Sequence, residues 1–240
     1  KKNMKYMGSK NRISNEILPI ILKNRKDRAY VEPFVGGCNM IDKVDGVRFG
    51  ADNNKYLIAM WVGLQNDIIR PVNITKEIYS RARNEYNNST NIEFSDFEIG
   101  WIGWMGSFNG RFFDGGYSGK TPTRDYILEQ IKNTESQIDS IRDVVFVCGS
   151  YDEIKYPDNS IIYCDPPYKG TKQYSTSRNF NHSIFWQWCR DMQRRGHDVF
   201  ISEYEAPDDF TCVWSKQITN SMNIKNTYKT TEKLFKFNVI

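Results

Sequence analysis

The sequence lacks the features that mark several specialised classes of protein. Its 240 residues contain no apolar run of about 18 residues, so we predict no membrane span. The first residues lead into no apolar segment, which argues against a secretory signal and favours a cytoplasmic protein. Five cysteines without a C-x-x-C pair encode neither a disulfide framework nor a structural zinc site, and we interpret them as small buried apolar residues.

Histidines and hydrolase motifs are also scarce. The sequence has two histidines, His182 and His197, and no G-x-S-x-G motif or metal-ligand cluster accompanies them, so a hydrolase is disfavoured. The net charge is small, with 33 basic against 29 acidic residues, but basic residues are concentrated at 1–28, 169–195 and 215–240. Such blocks form a basic face for a polyanion if the fold brings them together, and otherwise they are ordinary solvated surface.

Short runs of β-forming residues recur towards both ends of the sequence and indicate an α/β fold. The runs are 29–34, 47–52, 144–149, 160–165, 198–204, 210–218 and 232–239. Helical patterns separate several of them, at 11–22 with an interruption at Pro19, at 55–65 and at 183–195. Strands that alternate with helices predict a mostly parallel sheet covered on both faces. The last two runs have no helix between them, so we predict an antiparallel hairpin at the sheet edge.

The stretch 61–142 breaks this alternation. It contains two further helical patterns, at 75–86 and 124–141, on either side of a segment rich in glycine and aromatic residues. We interpret 61–142 as an inserted domain, which leaves 1–60 and 143–240 as the two parts of the main α/β domain.

The most informative motif is Ile-Ile-Tyr-Cys-Asp-Pro-Pro-Tyr at 161–168. An apolar strand that ends at Asp165 places a carboxylate at the carboxyl edge of the sheet, where open α/β sheets bind ligands. The diproline excludes helix and leaves carbonyl oxygens without ladder partners beside that carboxylate. Asp165 and the Pro166 carbonyl together suit the two hydrogens of an aromatic amine whose ring stacks on Tyr168. A proline-rich turn without function is the alternative.

A glycine turn follows the first predicted strand. In residues 30–39 the strand runs into a glycine pair that begins at Gly36, which lets the backbone approach a nucleotide-type cofactor. The third glycine of a G-x-G-x-x-G motif is absent, so a turn without function stays an alternative. Asp52 ends the next strand, where it is placed for ribose hydroxyls or serves as a helix N-cap. Near the N-terminus, Tyr6 and Lys10 are suited to bracket a ligand with a flat face and a carboxylate.

Four features in this order resemble the Dam-type (alpha group, D12 class) DNA adenine methyltransferases. They are Lys-Tyr-x-Gly-Ser-Lys at 5–10, Glu-Pro-Phe-Val-Gly-Gly at 32–37, the acid Asp52 and Asp-Pro-Pro-Tyr at 165–168. The resemblance implies a Rossmann-like, seven-stranded, mostly parallel sheet with an inserted, mostly helical target-recognition domain that carries a β-hairpin. It also implies S-adenosylmethionine as cofactor, no metal, and double-stranded DNA as the partner of a monomer or weak dimer.

The resemblance assigns roles by position. The implied catalytic residues are Asp165, Pro166 and Tyr168. The implied cofactor-binding residues are Tyr6, Lys10, Phe34, Gly36, Asp52, Ser150, Tyr151 and Asp165. Residues 107–117 resemble the recognition hairpin of the family, although 113–115 replace its usual Arg-x-Asn, which leaves the recognition sequence open. The implied DNA-binding residues are Asn109, Arg111, Lys120, Arg124, Lys169, Lys172 and Arg178.

Two other functions are compatible with the same motifs. One keeps the fold and changes the substrate to cytosine N4 in DNA, to RNA or to a protein glutamine, although Ser or Asn commonly replaces the acid of the motif in those relatives. The other is a catalytically silent DNA-binding protein without affinity for the cofactor. Analysis of methylated nucleosides tests the first alternative, and calorimetry with S-adenosylmethionine tests the second.

Overall fold

One mostly parallel sheet of seven strands organises the chain, and the computed structural model describes residues 2–169, 180–223 and 226–238. The strands of the described residues are β1 Tyr30–Glu32, β2 Arg48–Asp52, β3 Lys120–Thr121, β4 Arg124–Asp125, β5 Val145–Cys148, β6 Ile161–Cys164, β7 Asp198–Glu203, β8 Phe210–Asn223 and β9 Asn226–Phe237. β3 and β4 pair with each other and lie outside the seven-stranded sheet. The sheet order is β5-β2-β1-β6-β7-β9-β8. In this order the strands from β5 to β7 are parallel, and β9 is antiparallel to β7 and β8. The predicted α/β fold and edge hairpin are confirmed.

Strand β6 lies in the centre of the sheet because its residues suit burial on both faces. All four residues of Ile161–Cys164 are buried, and none carries a charge that must stay in water. β1 and β6 are neighbours, yet the chain passes from β1 to β2 on one side and from β6 to β7 on the other. The strand order therefore reverses between β1 and β6, where α/β sheets of this kind bind ligands.

Helices cover the sheet and build the insertion. The α-helices of the described residues are α1 Ser14–Ile21, α2 Lys55–Gln65, α3 Lys76–Asn88, α4 Asp96–Gly106, α5 Tyr126–Glu135, α6 Ile138–Ile141 and α7 His182–Arg194. Asn54 starts α2 by accepting the Tyr56 and Leu57 amides, and Ser95 with Glu98 forms a capping box at α4. None of the helices described is long and apolar enough to cross a membrane.

Two predicted helices differ from the structure. α1 continues through Pro19, whose ring removes only one main-chain donor. The predicted helix 124–141 is divided into β4, α5 and α6. The break lies at Gln137, whose buried side chain accepts the Met4 amide at 2.8 Å and donates to the Gly37 carbonyl at 3.1 Å. These long-range hydrogen bonds compete with a continuous helix.

The insertion packs directly on helix α2. α4 approaches α2 closely because glycines lie at the contact: a Cβ at Gly100 would lie 2.2 Å from the Tyr56 carbonyl oxygen, and one at Gly63 would lie 2.1 Å from the Phe97 ring. Buried apolar side chains of the sheet, α2, α4 and α5 form one continuous cluster. The division into 1–60 with 143–240 and 61–142 stays a prediction.

Residues 107–117 do not form the predicted hairpin ladder. One bridge between Ser107 and Tyr117 closes this segment, and the antiparallel ladder of the insertion lies beyond it, between β3 and β4. Phe112 and Phe113 explain the difference, because both side chains are buried and Ser107 Oγ accepts the Phe113 amide at 2.8 Å. The aromatic pair folds the segment inward as a compact loop.

The interpretation of the cysteines is right for three of the five. Cys38, Cys164 and Cys189 are buried, whereas Cys148 and Cys212 are exposed. The two exposed cysteines lie on β5 and β8, the outermost strands of the sheet, where neighbouring elements cover less of the surface.

The β8–β9 hairpin extends past the carboxyl edge of the parallel strands. Its pairing with β7 ends where Lys233 faces Glu203, the last residue of β7. The two hairpin strands continue to pair with each other beyond that point, beginning with Glu232 opposite Lys216. Glu232 therefore lies at the same edge of the sheet as the residues that follow β6.

Candidate active site

The carboxyl ends of the parallel strands bring the predicted site residues together. Asp165 follows β6 directly, and the turn with Gly36 follows β1. Asp52 is the last residue of β2, and Ser150 comes two positions after β5. Because these strands lie in the order β5-β2-β1-β6, the four positions form a row along one edge. The row includes the point where the strand order reverses.

An ion pair between a buried lysine and a partly exposed aspartate lies at one end of this row. Lys10 Nζ is 2.9 Å from Asp165 Oδ1 and donates to the Gly8 carbonyl at 2.9 Å, and the lysine side chain is 7% exposed. Burial alone would lower the pKa of Lys10, but the charges of Asp165 and Glu232 outweigh it, so the pKa is raised. Burial also raises the pKa of Asp165, although Lys10 acts in the opposite direction.

Tyr168 forms a second wall of the site. Its ring centroid lies 4.6 Å from Lys10 Nζ, within the range of a cation–π contact. The ring packs edge-on against Tyr204 with centroids 4.6 Å apart. Its hydroxyl donates a hydrogen bond to Glu232 Oε2 at 2.9 Å. The ring is therefore held both at its hydroxyl end and at its edge.

Glu203 and His182 hold the loop that follows β6. Glu203 accepts the Lys169 amide at 3.1 Å and the Tyr204 amide at 2.8 Å. His182 Nε2 lies 3.0 Å from the Pro167 carbonyl oxygen. Burial raises the pKa of Glu203 to about 7, although the two amides act in the opposite direction. This carboxyl therefore titrates near neutral pH.

The turn at Gly36 is closely packed. Gly36 has a φ of 46°, which favours glycine, and a Cβ there would lie 2.7 Å from Tyr6 Cε1. Trp61 Nε1 donates to the Gly36 carbonyl at 2.9 Å. The missing side chain at Gly36 allows the Tyr6 ring to lie against the turn.

Backbone amides hold the carboxylate of Asp52. Its Oδ1 accepts the Asn54 amide at 3.0 Å, and its Oδ2 accepts the Gly36 amide at 3.3 Å. Burial raises the pKa of Asp52 to about 6, against the lowering effect of these amides. The Gly149 amide donates to the Asp52 carbonyl at 3.0 Å, which brings Ser150 to the same edge.

Phe34 and Tyr151 belong to one aromatic cluster beside the glycine turn. Their rings stack with centroids 5.5 Å apart. Tyr151 also contacts Phe185 at 5.4 Å and Trp188 at 5.0 Å. Burial raises the pKa of Tyr151 to about 12. The cluster links the turn after β1 to the loop after β5.

The insertion carries four of the predicted DNA-binding residues. Asn109 is exposed and has a φ of 54°. Lys120 pairs with an aspartate 3.1 Å away, and Arg124 donates to both oxygens of Glu129 at 2.6 and 2.8 Å. Arg111 is partly buried, and its Nε has no hydrogen-bond partner within the described part of the chain.

The other predicted DNA-binding residues follow the Asp-Pro-Pro-Tyr motif. Lys169 is exposed, whereas Lys172 and Arg178 lie outside the described residues. Lys5, the first residue of the Lys-Tyr-x-Gly-Ser-Lys motif, lies near the insertion: its Nζ is 2.9 Å from Glu129, the partner of Arg124. Glu129 thus contacts both the N-terminal segment and Arg124 of the insertion.

Two carboxylates of the site, Glu203 and Glu232, are absent from the sequence-based prediction. Glu232 has a recognisable signal, because it is the only acidic residue in 215–240, a block with five lysines. Glu203 has a weaker one, because it is the last residue but one of the predicted run 198–204, close to the end position that Asp52 and Asp165 have in their runs.

The fold and the site together define a class of protein. A glycine turn and the partly buried acid Asp52 lie on one side of the point where the strand order reverses, and an Asp-Pro-Pro-Tyr loop lies on the other. Open α/β sheets bind their ligands at such a point. The family model of the D12 class N6 adenine-specific DNA methyltransferases matches residues 6–238, and the chain belongs to this family.

Individual relatives agree with the family assignment. The DNA adenine methylase of Vibrio cholerae is 30% identical over 171 residues, which cover 64% of this chain and 60% of the relative. The Type II methyltransferase M.MjaIII of Methanocaldococcus jannaschii is 22% identical over 249 residues, 86% of this chain and 85% of the relative. The Retron Ec67 DNA adenine methylase of Escherichia coli is 26% identical over 233 residues, which cover 85% of this chain and 77% of the relative. The match spans about 60% of the length of the Vibrio cholerae relatives.

Proposed function

We propose that the protein transfers a methyl group from S-adenosylmethionine to N6 of an adenine in double-stranded DNA. One observation carries the proposal: a nitrogen, the Lys10 ammonium, already bonds to Asp165 and lies over the Tyr168 ring. The two groups therefore converge on one point, as recognition of a flat amine requires. Membership of the D12 class supports adenine as that amine.

The reaction needs a more nucleophilic amine than adenine offers by itself. The lone pair of an aromatic amine is delocalised into its ring. The Asp165 carboxylate and the Pro166 carbonyl accept the two hydrogens, which favours a pyramidal nitrogen and concentrates the lone pair towards the methyl group. We assign Asp165 as the acceptor of the proton that leaves the methylated nitrogen, because its carboxylate binds the amine in this proposal and its raised pKa makes it a better base.

The residues around the glycine turn fit the cofactor. The turn beside Tyr6 has no room for a Cβ at Gly36, Asp52 supplies acceptors for the ribose hydroxyls, and Lys10 suits a carboxylate. When bound, S-adenosylmethionine supplies the electrophilic methyl group. We assign the remaining contacts with the cofactor to Phe34, Ser150 and Tyr151.

DNA must be distorted for this chemistry. The target adenine has to leave the base stack, at a cost of a few kcal/mol, and stacking on Tyr168 offsets roughly 1 to 3 kcal/mol of it. We assign 61–142 to target recognition and 1–60 with 143–240 to catalysis. DNA phosphates and bases then replace the acidic residues that pair with Lys120 and Arg124 in the absence of DNA. The proposed DNA contacts are Asn109, Arg111, Lys120, Arg124, Lys169, Lys172 and Arg178.

The variant Asp165→Ala tests the central role. We expect at least about a 10²-fold loss of labelled methyl transfer to DNA in a filter assay, because the main acceptor for the amine is gone. DNA binding in a gel-shift assay should persist, since Asp165 contributes no positive charge. Asp139→Ala is the matched control, because Asp139 is 93% exposed.

The same preparations separate the alternatives. Mass spectrometry of nucleosides should show N6-methyladenine, and calorimetry should show binding of S-adenosylmethionine. Normal turnover of Asp165→Ala contradicts the proposed role. Methyl groups on cytosine N4, RNA or glutamine contradict the proposed substrate, and DNA retention without cofactor binding identifies a silent DNA-binding protein.

A further inference from the structure

Glu232 is the only acidic residue in the basic block 215–240, and the fold brings it to the active site. On β9 it lies opposite Lys216, one residue before the position that pairs with Glu203 at the end of β7. Its Oε2 accepts the hydrogen bond from the Tyr168 hydroxyl at 2.9 Å, across 64 residues of chain.

The contact of Glu232 differs from an ordinary cross-strand ion pair. Lys216, its neighbour on β8, pairs with Glu16. Glu232 is partly buried, and removing a carboxylate from water is unfavourable unless a donor compensates. The Tyr168 hydroxyl is such a donor, and hydrogen bonds to an ionised acceptor are about twice as strong as neutral ones. Glu232 therefore binds the Tyr168 hydroxyl and does not form an ion pair with Lys216 across the hairpin.

Glu203 and His182 hold the main chain of the loop, and the Tyr168 ring has further contacts of its own. The two residues before it, Pro166 and Pro167, have no main-chain donor with which to fix the loop. Tyr204 supports one edge of the ring, and Lys10 lies over its face. Glu232 fixes the hydroxyl end, so the ring face beneath Lys10, the partner of Asp165, keeps one orientation.

We propose that Glu232 is a positioning residue for methyl transfer, because it holds the Tyr168 ring in the orientation that stacks on the extruded adenine. The inference rests on the proposed function and deepens it. Glu232 positions the ring through the Tyr168 hydroxyl and does not touch the substrate, and its charge also helps to keep Lys10 protonated. Its loss should therefore lower the rate of methyl transfer more than the affinity for S-adenosylmethionine.

A double-mutant cycle between Glu232→Leu and Tyr168→Phe tests the link. We expect Glu232→Leu to lower kcat about tenfold, as for the loss of one charge-assisted hydrogen bond, with KM for S-adenosylmethionine unchanged. Tyr168→Phe removes the same hydrogen bond from the other side and should lower kcat similarly. The double variant should be no slower than the slower single variant. Glu232→Gln keeps an acceptor and should stay within about threefold of the wild-type kcat.

Glu16→Leu is the matched control, because it removes the Lys216 ion pair from the same hairpin without contacting Tyr168; we expect the wild-type kcat. If the double variant lowers kcat by the product of the two single effects, the inference is overturned. A wild-type kcat in Tyr168→Phe also overturns it, even if Glu232→Leu fails to fold. A wild-type protein that methylates no adenine overturns the proposed function and this inference with it, whereas a failed cycle in an active enzyme overturns only the inference.

Discussion

Replacing Asp52 by asparagine should stabilise the fold while removing cofactor binding. Burial raises the pKa of Asp52 from 3.8 to about 6. At pH 8 the ionised carboxylate therefore destabilises the folded state by about 3 kcal/mol relative to the unfolded chain. The folded protein holds this proton more tightly than the unfolded chain does. The contribution of Asp52 to stability is therefore complete below pH 3.8 and is lost as the pH rises through about 6.

The variant Asp52→Asn recovers only part of that free energy. Its side-chain oxygen still accepts the Asn54 amide, but its NH2 group meets the Gly36 amide, which the carboxylate accepts at 3.3 Å. The unpaired amide costs roughly 1 to 2 kcal/mol. The net gain is about 1 to 2 kcal/mol at pH 8, or a Tm higher by about 2 to 8 °C for a chain of this size.

Thermal unfolding at pH 5 and pH 8 measures the gain, and calorimetry measures cofactor binding. We expect Asp52→Asn to melt above the wild type at pH 8, with a smaller advantage at pH 5. Its affinity for S-adenosylmethionine should fall at least about tenfold, because an ionised acceptor for the ribose hydroxyls is lost. Asp45→Asn, at an exposed position before the same strand, should change neither quantity. A lower Tm at pH 8, or unchanged cofactor affinity, refutes the reasoning.

Two further predictions concern the glycine turn and the loop after β6. Gly36→Ala should weaken cofactor binding by displacing Tyr6, which lies 2.7 Å from the added Cβ. Gly196→Ala is the control, because Gly196 also has a positive φ but an added Cβ there has nothing within 4 Å. Equal cofactor affinities of the two variants in calorimetry contradict the role of the Tyr6 contact. Burial raises the pKa of Glu203 from 4.5 to about 7, so its contribution to the free energy of unfolding should be lost as the pH rises across that interval, by about 3 kcal/mol. Denaturant unfolding from pH 4.5 to 8 should show a flatter profile for Glu203→Gln, and identical profiles contradict the assignment.

The main sheet could be predicted because its strands carry local signals. β2 lies within the predicted run 47–52, and β6 lies within 160–165. β8 and β9 pair well beyond the predicted runs 210–218 and 232–239. The extra residues are mostly polar, and they project past the edge of the sheet, so they show none of the apolar alternation that a half-buried strand requires.

The site could be predicted only where each residue belongs to a short motif. Lys10, Asp165 and Tyr168, which belong to such motifs, lie together in the structure. Glu203 and Glu232 contact residues 34 and 64 positions away, and no local pattern reports such a contact. The helix break at Gln137 has the same origin, because its side chain bonds to a residue 133 positions away.

Lys10 should impose an order on binding, with S-adenosylmethionine before the adenine. An ion pair such as Lys10 with Asp165 adds little net stability, because the buried lysine loses its water and the 23% exposed aspartate loses part of its own. In the proposed function the cofactor carboxylate takes Lys10 while the adenine amine takes Asp165, so neither charge is left alone. An adenine that arrives first would separate the pair with no new partner for Lys10, at a cost of roughly 3 to 5 kcal/mol. Isotope partitioning measures the order: enzyme preloaded with labelled cofactor should transfer the label when it is mixed with DNA and excess unlabelled cofactor. Enzyme preloaded with labelled DNA should release it to unlabelled DNA before turnover, and equal trapping of both ligands contradicts the order.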